Sequence, residues 1–446
     1  MSVSDGAVLA REKWVDEVVS AMQEEVGDLY NALAACGEHF ERQERLVRDW
    51  FMKAGASALK RFYELGGRRG HVGTSLPCNC GPQGEQVFQG YRGRSVVTLV
   101  GSMELERAYY HCQFCGKGLV PLDERIGLNG HSFSPAVQRL TSHLGGEIVF
   151  HRVKGFLNEV GIELSTKEAE RRTEETGRKI EALHQERIIQ AKKGKRLEGE
   201  RRDLPQRLYL QVDGTKAHML TDWKEAKLGA IFETEVASGE AGRLRRGDTT
   251  YCAAFETAEK FGWRLFATAT SRGSHLAKEV VFMGDGASWV WNLAAEHFPE
   301  RVEILDWYHA SEHLWDLAKV VFGEGTKECK RWVKIRLREL KKGNIEAVLE
   351  AMNQIRPHSR EVREKLRKEK AYFRNNGDRM RYAEFKRKGY FIGSGVVESG
   401  CKRAVTQRLK LAGMRWKIEN ANAVLQVHLA NLNGEFDNLW AQTRAA

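Results

Sequence analysis

The sequence lacks any apolar run approaching the roughly 20 residues that a membrane-spanning helix needs, so no segment of its 446 residues reads as transmembrane. The opening stretch from Met1 to Arg11 has no apolar core of the kind a secretory leader carries. Cysteine is scarce, eight in the whole chain. Without an export signal, that number argues for a reducing compartment and against a disulfide framework, and the expected location is cytoplasmic. There is no internal repeat and no low-complexity segment, which excludes a solenoid. Acidic residues are outnumbered, 60 against 71 basic ones, leaving a net charge of +11. The isoelectric point is near 9.2. The positive charge is clustered, which points to a polyanionic partner rather than to simple solvation. What is present, 42% hydrophobic and 29% charged residues, suits a globular chain with room for several cores.

Pattern changes along the chain suggest its organisation. Residues 1 to about 65 are helical, with Trp14, Val18, Val19, Met22, Leu46, Trp50, Phe51 and Leu59 at helical spacing. Gly66 to Gly73 reads as a linker with basic punctuation. Residues 76 to 120 switch to alternation of period two and hold four cysteines. A helical pattern returns from 132 to about 190, and the charged run from Lys192 through Arg196 to Pro205 reads as a boundary. Candidate strands then fall at 207–213, 227–234, 250–257, 262–269, 279–284 and 302–306. From 314 to 390 the chain is helical and rich in Lys and Arg, and further helices follow from 392 to 440. The division expected is 1–70, 71–130, 131–200, 205–313, 314–390 and 391–446.

Cys78 and Cys80, then Cys112 and Cys115, each followed by glycine, resemble two metal knuckles. Tetrahedral zinc needs four such donors on two tight turns, and a closed four-ligand site holds a fold rather than catalysing. The first pair has one intervening residue instead of two, so His71 or His111 is an alternative ligand. Between the pairs, Ser95 to Tyr110 reads as a hairpin turning near Gly101, which gives a zinc-ribbon layout.

Phe150 to Val160, a turn at Gly161 to Ser165, and a helix from Thr166 to about Gly177 fit a helix-turn-helix. Ser165 with Glu168 has the form of a capping box. On this reading Lys167, Arg171, Arg172 and Thr173 face outward and enter a DNA groove; an ordinary helical hairpin is the alternative.

Three acidic residues occupy distinctive settings. Asp213 ends the apolar run Leu208 to Val212, Asp285 ends Val280 to Gly284, and each is followed by glycine. Glu398 lies in Gly393-Ser-Gly-Val-Val-Glu398-Ser. A carboxylate at the end of a buried strand is costly unless something pairs it, and a divalent metal is the usual partner. Two metals held by such carboxylates clamp the attacking and leaving oxygens of a phosphodiester. A ribonuclease-H-like fold has its first Asp on the first strand, its second after the fourth strand, and its last acid on a later helix. The helical stretch 314–390 fills the gap before Glu398 as an insertion.

In that order, and with Asp306-Trp-Tyr-His309 and the tail Lys410 to Lys417, the motifs resemble the DDE transposases of bacterial insertion sequences. The resemblance is to the ISKra-type group, related to Mutator-like transposases, and covers roughly residues 70 to 440. It implies an α/β ribonuclease-H-like catalytic core with a large all-helical insertion. A helical N-terminal region, a zinc-ribbon-like β module and a helix-turn-helix-like segment precede that core. It implies that Asp213, Asp285 and Glu398 bind catalytic Mg²⁺ or Mn²⁺, that zinc is structural, and that the partners are double-stranded DNA, as terminal inverted repeats and target. A homodimer or higher synaptic oligomer is expected. A metal-dependent nuclease on the same fold, or a catalytically silent DNA-binding protein, are the alternatives.

His309 would orient a metal-bound water or contact the scissile phosphate, or be a buried histidine bonded to Asp306. His309-Ala-Ser-Glu312-His313 also fits the H-x-x-E-H zinc-protease pattern, but that reading leaves the three acids and the basic charge unexplained. Candidate DNA contacts are Lys167, Arg171 and Arg172 in the first helical region, Lys330, Arg331 and Lys334 in the insertion, and Arg403, Arg415 and Trp416 near the end. Trp416 would stack on a frayed base or plug helix packing.

Overall fold

The computed structural model describes residues 5–65, 69–82, 84–128, 130–195, 197, 205–236, 244–393 and 395–445. Part of the expected linker at 66–73 and most of the charged run ending at Pro205 lie outside them. The chain divides into two compact units, Met1–Thr173 with Arg444–Ala446, and Glu174–Thr443. It is mixed α/β, with a helical N-terminus and two sheets. Among the described residues no helix is long and apolar enough to cross a membrane.

The first unit opens with helices α1 (Asp5–Ala35) and α2 (Phe40–Glu64). An antiparallel sheet follows in the order β1 (Ser75–Pro77), β2 (Glu85–Thr98), β3 (Gly101–Cys112), β4 (Gly118–Leu119). The β2–β3 turn is at Gly101, whose φ of 102° needs a residue without Cβ strain. Helices α3 (Pro121–Ile126), α4 (Pro135–Glu147) and α5 (Phe150–Glu159) follow, and α6 (Thr166–Lys192) starts in this unit and continues into the second. Val137, Val153, Leu157, Ile162, Leu164 and Ala169 form one core under α4, α5 and the start of α6. The helix expected to end near Gly177 is 27 residues long and continues to Lys192.

The second unit is built on a five-stranded sheet in the order β7-β6-β5-β8-β9. Its strands are β5 (Arg207–His218), β6 (Trp223–Val236), β7 (Leu244–Ala254), β8 (Glu279–Gly284) and β9 (Arg301–Leu305). β5, β6 and β7 pair antiparallel; β5, β8 and β9 run parallel. Leu208 to Val212 are buried without alternation, as befits a central strand covered on both faces. The chain helices on one face begin with α7 (Ala258–Ser271). A Cβ on Gly229 of β6 would come within 2.6 Å of Leu265. On the opposite face, a Cβ on Gly400 would come within 2.7 Å of Tyr251. Both glycines permit close layers.

The strand expected at 262–269 is a correction: these residues lie within α7. Thr257 caps the helix by accepting from the Lys260 N–H, and Phe261, Leu265 and Ala269 are buried one turn apart. The aromatic and β-branched residues between them mimic strand composition, but the cap and the 3.6-residue stripe decide the outcome.

After α8 (Ser288–His297) and β9 comes the helical insertion: α9 (Trp307–Phe322), α10 (Lys327–Lys342), α11 (Ile345–Asn353), α12 (Arg360–Asn375) and α13 (Tyr382–Arg387). The chain returns to the sheet through α14 (Gly395–Gly400), a π-helical turn at Cys401–Thr406, α15 (Gln407–Leu409), α16 (Ile418–Leu432) and α17 (Phe436–Ala445).

Candidate active site

Register brings the acids together. Gln211 on β5 stands opposite Met283 on β8, so Asp213 and Asp285, each two residues on, leave neighbouring parallel strands side by side. Gly284 in turn stands opposite Leu305 on β9, so Asp306 emerges beside Asp285. Asp213, Asp285 and Asp306 thus lie side by side just past the point where the parallel ladders of β5, β8 and β9 end, the region in which open α/β sheets bind ligands. With His309 they line one small cleft. The third of them, Asp306, was expected only as a companion of His309; its signal was the same strand-then-acid pattern, Val302 to Leu305 before Asp306.

Each acid is locally fixed. Asp213 accepts from the Gly214 N–H at 2.7 Å and from the Cys401 thiol at 3.5 Å. Burial, together with the charge of Asp285, holds its carboxyl above the ordinary range. Asp285 accepts from the Ala287 N–H at 2.9 Å. Gly286 after it has a φ of 100°, and a Cβ there would lie 2.5 Å from the Tyr372 ring. Asp306 caps α9: its Oδ2 accepts from the His309 N–H at 2.9 Å and meets His309 Nδ1 at 2.8 Å. That bond first, then the negative charge of Asp306, Asp285 and Asp213, pushes the imidazole up to about 9 against the effect of burial.

Glu398 comes from α14, on the far side of the insertion. Its carboxylate lies within 4.8 Å of the ligand atoms of Asp306 and His309, a group able to hold an ion. Gln211 positions it. This side chain, 1% exposed, donates to the Gly393 carbonyl at 2.7 Å and accepts from the Val397 N–H at 3.0 Å. Ser394 of the same motif lies outside the described residues. The insertion also reaches the site: Tyr372 on α12 donates to the Asp285 carbonyl at 2.8 Å. Its ring stacks on His313 with centroids 3.7 Å apart, and His313 bonds Glu369 at 2.6 Å. His313 is thus engaged away from His309, and among the described residues no metal-holding group contains both. Neither Gln211 nor Tyr372 announced itself in the sequence, since each acts through partners far along the chain.

Carboxylate donors around a cleft, one of them with a buried oxygen lacking any partner, suit a hard divalent cation. The first unit holds a different donor set. Cys78, Cys80, Cys112 and Cys115 bring their sulfurs within 4.8 Å of one another, which fits zinc. The Cys78–Cys115 and Cys80–Cys112 sulfurs are 3.6 and 3.7 Å apart. Backbone N–H groups of Cys115 and Phe114 bring the Cys112 thiol down to about 7, while the bond to Cys78 pushes Cys80 up to about 12. The short Cys78-x-Cys80 turn closes because Gly84 sits against it; any Cβ there would overlap the Cys80 sulfur. His71 and His111 are not in the group.

The basic candidates divide by exposure. Lys330, Arg331 and Lys334 are exposed on α10, opposite buried Cys329, Val333 and Leu340. Arg415 is exposed and Arg403 half-buried. Lys167 and Arg171 are exposed and paired with Glu170 and Glu168. Arg172 and Thr173 differ from expectation: both are buried, Arg172 being 3% exposed and bonded to His131 at 2.7 Å. They lie on the inner face of α6, one residue round from Arg171. Trp416 is also buried, 8% exposed, and its indole donates to the Leu409 carbonyl, so the ring plugs packing.

No curated protein matches the chain. The profile of an uncharacterised protein family matches residues 83–442, most of the sequence. The chain therefore belongs to the uncharacterised protein family UPF0236.

Proposed function

We propose that this protein is a DNA transposase that binds the terminal inverted repeats of an insertion sequence and catalyses metal-dependent strand cleavage and transfer. The observation that carries the reading is the parallel register that sets Asp213 beside Asp285, with Glu398 within 4.8 Å of the ligand atoms of Asp306 and His309 and its turn held by the Gln211 bonds to Gly393 and Val397. A sheet of three antiparallel strands followed by two parallel ones, in the order third-second-first-fourth-fifth, supports a ribonuclease-H-like core.

In this reading Asp213, Asp285 and Glu398 hold Mg²⁺ or Mn²⁺, which would activate the attacking oxygen and stabilise the leaving one. Water attacks a phosphorus at the element boundary, and the bond to the 3′ oxygen breaks to give a free 3′-hydroxyl. That hydroxyl then attacks a target phosphodiester, exchanging one phosphorus–oxygen bond for another. Asp306 orients His309 at the cleft. Exposed Lys330, Arg331 and Lys334 would contact phosphates, and the four-cysteine module would hold zinc as a structural element. Joining two ends to one target calls for at least two copies.

The test is cleavage of a labelled duplex carrying the ends that flank the gene, with Mg²⁺, with EDTA, and with Asp213→Asn. Boundary cuts that need Mg²⁺ and vanish in the variant are expected. Cleavage without joining would point to a nuclease. Tight binding with no cutting would point to a silent DNA-binding protein, and cutting that survives Asp213→Asn would overturn the assignment.

A further inference from the structure

The α1–α2 hairpin carries more apolar surface than its own packing uses. Its inner side is filled: the Trp14 indole donates to the Ala58 carbonyl at 3.0 Å, and Arg61 pairs with Glu17 at 3.3 Å. One residue round from Trp14, Val15, Val19, Val26 and Tyr30 recur at helical spacing along α1, and all four are exposed, Tyr30 by 73%. On α2, Phe40, Phe51 and Phe62 stand about three turns apart, so they too share one face; Phe40 and Phe51 are 71% and 62% exposed. Leu33 from α1 lines one groove with Phe40 and Val47 from α2, which puts both stripes on the same side of the hairpin. A continuous apolar face of this kind marks a docking surface.

Charge says what docks there. α1 holds seven acidic residues and two basic ones, α2 six basic and four acidic. A nucleic acid or an anionic membrane laid on this face would meet the acids of α1. A second copy, related by a two-fold axis running along the helices, would set each α1 against the partner's α2, acid against base and stripe against stripe. We propose that the open face of the α1–α2 hairpin is where two copies of this chain meet, as a four-helix bundle with each α1 packed on the partner's α2. This goes beyond the transposase reading, which asks for two copies without saying where they join, and it stands whether or not the chain cuts DNA.

The test is sedimentation velocity of the full chain without DNA, at micromolar concentration, with circular dichroism to check that each variant folds. Wild type should sediment as a dimer. Val19→Glu combined with Phe51→Glu, both at exposed positions, should weaken the dimer at least about 100-fold and leave the helix content unchanged. Glu12 and Asp16 are exposed beside the α1 stripe, and changing both to Lys spares the apolar residues. It should still weaken the dimer about tenfold, because like charges then meet. Phe156→Glu, at an exposed apolar position on α5, should leave the dimer intact. A monomeric wild type overturns the proposal, as does a dimer that survives Val19→Glu with Phe51→Glu or dissociates equally in Phe156→Glu. An affinity untouched by the two lysines would overturn the pairing of α1 with the partner's α2. Cleavage is scored on the same samples, so Mg²⁺-dependent cutting by a monomeric wild type would remove this face and keep the transposase reading.

Discussion

Gln211 shows how much one uncharged side chain can decide. Its amide both donates and accepts, and it spends the two functions on Gly393 and Val397 from the middle of a buried strand. An aliphatic residue of similar size would leave a buried carbonyl and a buried N–H unpaired, each costing roughly 1–3 kcal/mol. Gln211→Leu should therefore lower unfolding stability by about 2–4 kcal/mol, read from urea denaturation. A loss well under 1 kcal/mol would mean that the loop before α14 finds other partners. The neighbouring aspartates behave differently. Asp213 carries a raised carboxyl pKa because burial and Asp285 both oppose its charge.

At the scale of elements, the insertion is tied to the sheet by α12 as well as by its two ends. Tyr372 holds the Asp285 carbonyl, while His313, Glu369 and Lys365 brace the tyrosine from behind; Lys365 lies 3.0 Å from Glu369. Burial, with the charges of Asp285 and Asp306, raises the phenol well above its usual pKa, so it remains a donor. Removing one such bond costs about 1 kcal/mol, so on the proposed function Tyr372→Phe should raise the Mg²⁺ needed for half-maximal cleavage roughly fivefold. Metal titrations of the cleavage reaction measure this directly, and an unchanged requirement would show that α12 merely packs nearby. Ends of elements were easier to read in the sequence than such couplings. The strand at 279–284 and the hairpin turn at Gly101 carry local signals, alternation or an apolar run bounded by glycine, and both appear where expected. Residues 262–269 did not, because a helix with aromatic and β-branched residues resembles a strand until its cap and buried stripe are weighed.

For the whole molecule, pH is the informative variable. His184 on α6 shares a bond of 3.1 Å with Gln426 on α16, within the second unit. Burial, and then the charge of Arg264, brings its pKa down to about 4. In the unfolded chain an ordinary histidine titrates near 6.5. Between those values the unfolded state binds the proton more readily, so stability is full above about pH 6.5 and falls as the pH drops toward 4. In a chain of net charge +11 the added proton is unwelcome on general grounds too. Unfolding free energy at pH 5 should lie about 1–2 kcal/mol below that at neutral pH, and His184→Gln should flatten the difference. Equal slopes for both proteins would remove His184 as the cause. Asp213 and Asp285 were legible one at a time, as acids that follow apolar runs and precede glycine, and Asp306 and Glu398 by their own local motifs. Their convergence was not, because it depends on the parallel pairing of β5, β8 and β9 and on Gln211, Tyr372 and Asp306 acting across long stretches of chain. Nor could spacing alone show that Arg172 faces inward while Arg171 faces out.

The Gln211 clamp also orders events during synthesis. Its partners lie 182 and 186 residues further along the chain. A ribosome has thus delivered the strand bearing Asp213, and later the turn bearing Asp285, long before Gly393 and Val397 leave the exit tunnel. Until then the central strand keeps an unmet amide and the acidic pair has no Glu398. A nascent or prematurely released chain therefore lacks the clamp and the turn that bears Glu398.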